Sequence, residues 1–153
     1  MKQFVVMPGQ SFAEANPEIN EAERETAARL KETIQFIAGD IGERNTRKPE
    51  ALARTADWIE AILSDMGHEV HRQSFHADGV ECSNIEAIVR GNGELAEDVV
   101  IGAHYDTVPN CPGANDNTSG IAGLLELARA YVNITPRRTI RFVAFVNEEP
   151  PYF

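Results

Sequence analysis

The chain has 153 residues, 42% of them hydrophobic and 25% charged, which is the make-up of one globular domain able to bury a core. Its 24 acidic residues outnumber 14 basic ones, for a net charge of -10. No basic stripe is therefore present to neutralise phosphates or anionic headgroups, so neither nucleic acid nor a membrane is an expected partner.

Residues 1–17, which contain Pro8, Gly9 and Pro17, read as a flexible lead-in to a domain over residues 18–153. Residues 18–39 read as a helix. Asn20 with Glu23 three positions on forms a capping-box pattern, and Ala27, Leu30, Ile34 and Ile37 recur at helical spacing. A polar loop, 43–48, leads to Pro49, which suits a first helical turn. Leu52, Ala56, Ile59, Leu63 and Met66 then make one apolar stripe before Gly67 stops it. The period changes after Gly67. Residues 68–75 and 83–90 read as a hairpin around Asp78-Gly79. Residues 99–103 are a short continuous apolar run, as expected of a strand covered on both faces. A loop rich in Pro, Asn and Gly follows over 107–117, then a helix over 119–132 and a last strand over 139–146.

Strand, helix, strand makes a right-handed βαβ unit with parallel strands, and the hairpin makes the sheet mixed. In open α/β sheets ligands bind at the carboxyl ends of the strands. Both apolar strands end in metal-capable residues here: His104 and Asp106 after the first, Glu148 and Glu149 after the second. The intervening loop adds Asp116. Each piece alone has an ordinary reading, as a hydrogen-bonded pair, a turn residue or a solvated edge. The topology brings all of them to one rim. Zinc accepts imidazole nitrogen and carboxylate oxygen at about 2.0–2.2 Å, and a carboxylate can bridge two ions about 3.5–4 Å apart. A histidine ligand is oriented by a carboxylate on its other nitrogen, a role that Asp106 can fill for His104.

The segments GAHYDTVP, PGANDNTSGIAGLLELAR and RTIRFVAFVNEEPPYF, with GERNTRKPEALARTADWIEAILSDMGHEV upstream, closely resemble the co-catalytic zinc aminopeptidases of clan MH. That family includes bacterial leucyl aminopeptidases and aminopeptidase Y, and the likeness covers roughly residues 40–153. It implies an α/β fold, a mixed sheet with flanking helices in a zinc-peptidase-like three-layer αβα arrangement. It implies that this chain is the N-terminal part of that domain, truncated after the fourth strand. It implies hydrolysis of N-terminal peptide bonds of a peptide substrate by a water activated by two Zn2+. His104 is then a terminal ligand of one zinc, Asp106 its orienting partner, Asp116 the bridge, Glu148 the general base and Glu149 a terminal ligand of the other zinc. The peptide between Asp116 and Asn117 is expected to be cis.

The family also uses an Asp and a His from later in the chain. His68, His71 and His76, in or beside the hairpin, are poor substitutes. With these 153 residues each zinc keeps two of three protein ligands, so zinc binding is expected to be weak or absent and peptidase activity slight. The apolar strand 99–103 is expected to present a bare edge able to self-associate. Related clan members act as carboxypeptidases, amidases or glutaminyl cyclases, and a non-catalytic α/β module is the reading from outside enzymes. Cys82 and Cys111 match no zinc or redox spacing. Residues 4–7 are too short an apolar run for a secretory signal, and no run nears the roughly 18 residues that cross a bilayer. The expected location is the cytoplasm, although secretion of a longer precursor would leave the same sequence here.

Overall fold

A computed structural model describes residues 18–152. The flexible lead-in expected over residues 1–17 lies outside the described residues. Helix α1 spans Glu21–Ile34 and is capped as its sequence predicts: Asn20 Oδ1 accepts from Glu23 N at 3.0 Å, and Glu23 Oε2 accepts from Asn20 N at 2.8 Å. The helical path does not end at Gly39. It runs through a wider π-helical turn, Gln35–Ile41, and ends at Gly42, whose φ of 81° is a conformation that glycine adopts without steric cost. That extra turn buries Ile37 and Ala38, while Ala27 stays exposed and Leu30 and Ile34 are half-buried.

Helix α2 spans Pro49–Asp65 and buries Leu52, Ala56, Ile59 and Leu63, the expected stripe. Strands β1 (Glu69–Ala77) and β2 (Val80–Val89) form the expected hairpin. Its two-residue turn has Asp78 at φ 51° and Gly79 at φ 77°; two positive φ values match the right-handed twist of the flanking strands. Strand β3 (Val99–His104) is followed by a distorted turn, Ala114–Thr118, then helix α3 (Ser119–Ala130) and strand β4 (Ile140–Phe145).

The sheet order is β1-β2-β4-β3. β3 and β4 are parallel, and β2 pairs antiparallel with both β1 and β4. This is the mixed sheet with flanking helices that the sequence predicts. One continuous core joins Leu52, Ile59 and Leu63 of α2 and Ile121, Leu124 and Leu125 of α3 to Ile85, Phe142 and Ala144 of the sheet. Each of these leucine, isoleucine and phenylalanine side chains contributes about 1.5–3 kcal/mol on burial. β3 lies at the sheet edge among the described residues. Val99 is partly exposed, and Val100, on the side away from the helices, is 57% exposed. No helix among the described residues is long and apolar enough to cross a membrane.

Candidate metal centre

β3 and β4 run parallel with His104 opposite Phe145, so both strands deliver their following residues to the same end of the sheet. β3 ends on His104 and continues into Tyr105 and Asp106. β4 continues into Asn147, Glu148 and Glu149. Asp116 lies on the turn that enters α3. There Asn117 Oδ1 accepts from Gly120 N at 3.0 Å and caps the helix. The peptide between Asp116 and Asn117 is cis, as the resemblance implied.

His104, Asp116 and Glu149 each place a donor atom within 4.8 Å of the others. They form the one such cluster of three or more His, Cys, Asp or Glu side chains among the described residues. His104 Nε2 lies 3.0 Å from Asp116 Oδ1 and 3.7 Å from Glu148 Oε2. On the other side of the ring, Nδ1 lies 3.5 Å from Asp106 Oδ1, is buried, and makes no hydrogen bond. Asp106 is itself buried and accepts from the backbone N–H groups of Glu148 and Glu149, each at 3.2 Å. One carboxylate thus joins the end of β3 to the end of β4. Burial raises the Glu149 carboxyl above the usual carboxylate range, and the Asp116 carboxylate raises it further, against a smaller opposing effect of His104.

These residues fit a cation. A neutral imidazole carries one N–H, yet carboxylate oxygens face both nitrogens of His104, so one lone pair is set against negative charge. A cation at Nε2, with the proton on Nδ1 directed at Asp106, removes that conflict. Imidazole and carboxylate donors are those that zinc takes. His68 and His71 stand apart from the cluster: His68 Nε2 contacts the Ala128 carbonyl at 3.0 Å, and His71 pairs with Glu69 at 2.9 Å.

The stretch 43–48 reads as a polar loop in the sequence, and the structure buries part of it. Arg44 is fully buried and Asn45 nearly so. The Arg44 Nε donates to the Tyr105 carbonyl, Nη1 to the carbonyls of Gly42 (2.9 Å) and Pro112 (2.7 Å), and Nη2 to the Gly113 carbonyl (3.3 Å) and Thr118 Oγ1 (2.6 Å). Burial lowers its pKa to about 10, opposed by the Asp106 charge, so it remains a cation at neutral pH. No local sequence signal marks this role, because four of the five acceptors lie 61 to 74 residues away.

Residues 84–152 match the pattern of Peptidase family M28. Uncharacterized protein YfbL of Escherichia coli is 34% identical over 133 residues, 81% of this chain and 40% of that protein. Aminopeptidase YwaD of Bacillus subtilis is 51% identical over 51 residues, 33% of this chain and 11% of that protein. The chain therefore spans well under half the length of either relative. Among solved structures, BSAP, a zinc aminopeptidase from Bacillus subtilis, shares the fold with a TM-score of 0.71 at 17% identity, over 80% of this chain and 62% of that one. The chain belongs to peptidase family M28, and the matched segment carries His104, Asp106, Asp116, Glu148 and Glu149.

Proposed function

We propose that the protein is a zinc-dependent aminopeptidase whose centre is built on His104, Asp116 and Glu149, with Asp116 shared between two ions. The observation that supports it best is the clustering of these three donors beside a buried imidazole that has a carboxylate at each nitrogen. Zinc bound there would lower the pKa of a water molecule towards about 7 and polarise the scissile carbonyl.

The chain's own groups do the rest. Asp106 faces His104 Nδ1, and its negative charge favours the tautomer that keeps the proton there and frees Nε2. Because Asp106 also accepts from the backbone of Glu148 and Glu149, it sets the positions of the base and of the last ligand. The Glu148 side chain is 54% exposed and its Oε2 stands 3.7 Å from His104 Nε2, at the open side of the cluster. It takes the proton of the attacking water and returns it to the leaving amine. The substrate is a peptide with a free amino terminus.

The test is hydrolysis of a panel of aminoacyl-anilides by the full-length protein, before and after chelation and on return of zinc. Glu148→Gln should lower kcat by about 10²–10⁴ while leaving bound zinc unchanged. Zinc-independent hydrolysis, or a Glu148→Gln variant as active as wild type, would refute the assignment. Cyclisation of an N-terminal glutaminyl peptide, with the anilides untouched, would instead place the protein among the cyclases of the clan.

A further inference from the structure

We infer that Arg44 is the positioning residue of the candidate centre: one buried guanidinium ties the end of β3 to both sides of the Asp116 turn, and so fixes where Asp116 stands relative to His104. The inference rests on the metal-centre reading above.

Its acceptors carry the argument. Tyr105, whose carbonyl accepts from Nε, sits between His104 and Asp106 in the chain. Gly113 and Thr118, which accept from Nη2, stand on either side of Asp116. Arg44 therefore touches the chain beside His104 and at both ends of the turn that carries Asp116, without touching a ligand atom itself. The turn's other hydrogen bonds are local: Thr118 N and the Thr118 hydroxyl to the Gly113 carbonyl (3.0 and 2.6 Å), Ser119 N to the Ala114 carbonyl, Ser119 Oγ to the Asn115 carbonyl (2.7 Å) and Gly120 N to Asn117 Oδ1 (3.0 Å). Apart from the His104–Asp116 contact itself, none of these reaches β3. No strand partner holds the segment, so the guanidinium takes the place of a sheet ladder.

The residue type is dictated by the acceptor set. Five N–H donors meet four carbonyl oxygens and one hydroxyl, each in a different direction. Lysine has three donors at one point and would leave at least two buried acceptors empty. None of the five acceptors is a carboxylate. The positive charge is thus not consumed in an ion pair and acts on the Asp106 carboxylate through space. The backbone around Arg44 repeats the attachment: its carbonyl accepts from Thr107 N at 2.9 Å, and its N–H donates to Thr107 Oγ1 at 3.1 Å.

The experiment compares the full-length wild type with Arg44→Lys and Thr118→Val. Zinc affinity is read by competition with a chromophoric chelator, Co2+ loading by its visible spectrum, and folding by circular dichroism and the urea midpoint. Arg44→Lys, folded, should bind zinc about 10–100-fold more weakly and shift the Co2+ bands. Thr118→Val, which removes one of the five acceptors, should move both readouts the same way by less. If Arg44→Lys does not fold, Thr118→Val decides alone: weaker zinc binding with altered Co2+ bands upholds the inference, and wild-type values overturn it. A folded Arg44→Lys with wild-type affinity and spectrum overturns it too, as does a loss of affinity that only follows the unfolded fraction. Failure of the wild type to take up either metal brings down the centre itself, and the role of Arg44 with it. Normal wild-type binding with an unaffected Arg44→Lys brings down the Arg44 assignment alone.

Discussion

Gly113→Ala puts the turn that carries Asp116 under a direct test. Gly113 has φ +62°, in the left-handed region where an alanine costs about 1–2 kcal/mol. Space is also lacking. An added Cβ would sit 2.4 Å from Thr107 Cγ2, 2.6 Å from the Asp116 carbonyl oxygen and 3.2 Å from Arg44 Nη2. The threonine methyl can shift, but the carbonyl is backbone, and Arg44 is tied to five acceptors. Overpacking of this kind costs about 1–3 kcal/mol. The loss of unfolded-state entropy returns about 0.4–1 kcal/mol. The expected net destabilisation is about 3 kcal/mol. Gly79→Ala is the matched control, because Gly79 has φ +77° and nothing within 4 Å of its added Cβ. It bears the conformational cost alone, about 1 kcal/mol. The assay is urea unfolding of wild type and both variants with the slopes compared, so that a change in midpoint reports stability. If Gly113→Ala unfolds no more readily than Gly79→Ala, the close packing of Arg44, Thr107 and the Asp116 carbonyl does not hold in solution and the positional argument falls.

Asp106→Asn keeps the shape of a buried carboxylate that serves two backbone N–H groups and faces His104. The amide presents N–H to one of these donors, so a loss of about 2 kcal/mol in unfolding free energy is expected, with zinc affinity lower by about 10–100-fold. Unchanged stability would show that the two backbone bonds contribute nothing. Glu126 provides a pH prediction. Burial pushes its carboxyl up, but the hydrogen bonds from Arg29 and Arg129 outweigh this and hold it below 4.5. A depressed folded-state pKa gives stability that is complete above the unfolded value and lost as pH falls through the folded one. Glu126→Gln should therefore be less stable than wild type by about 1 kcal/mol near pH 6, and the gap should narrow when the pH is taken well below the ordinary carboxylate range. A gap that is constant with pH, in thermal melts under both conditions, would rule this out. The β3 edge, with Val99 and Val100 exposed, is expected to drive association of the 153-residue chain, and Val100→Lys should reduce it. Light scattering that shows a lasting monomer for the unmodified chain would count against the edge.

Local signals made much of the scaffold readable in advance. Asn20 with Glu23, Pro49, Gly67 and Asp78-Gly79 mark element ends by chemistry that acts over a few residues, and the structure has those ends. The rim of the site was legible for another reason: parallel strands on either side of a helix must deliver their carboxyl ends to one side, and His104 and Phe145 are register partners. Two features escaped. Gly39 and Gly42 together read as the helix stop, and the structure ends the helical path at Gly42; what escaped is the π-helical turn Gln35–Ile41 that carries the chain past Gly39 and buries Ile37 and Ala38, a tertiary effect that propensity does not encode. Arg44, in a run with Glu43, Arg47 and Lys48, has the composition of a polar loop. It is buried because its acceptors, far along the chain, converge only after β3 and the Asp116 turn are in place.

The division of burial among the acids explains how such a site can fold before it binds a cation. Four carboxylates, Asp106, Asp116, Glu148 and Glu149, crowd one imidazole. Burying them all unpaired would cost several kcal/mol per ion. Instead the Asp116 and Glu148 side chains remain 70% and 54% exposed, so water carries most of their charge, while Asp106 is buried with two backbone donors and the Arg44 charge nearby. Repulsion among the outer acids is left uncancelled on the solvent side, where an arriving cation is attracted and can remove it. The orienting acid was desolvated during folding, so it need not be reorganised when the cation arrives. A cation site of this form requires that the inner acid be rigid and the outer ones wet. Arg44 secures the first condition from behind, and the open ends of β3 and β4 secure the second.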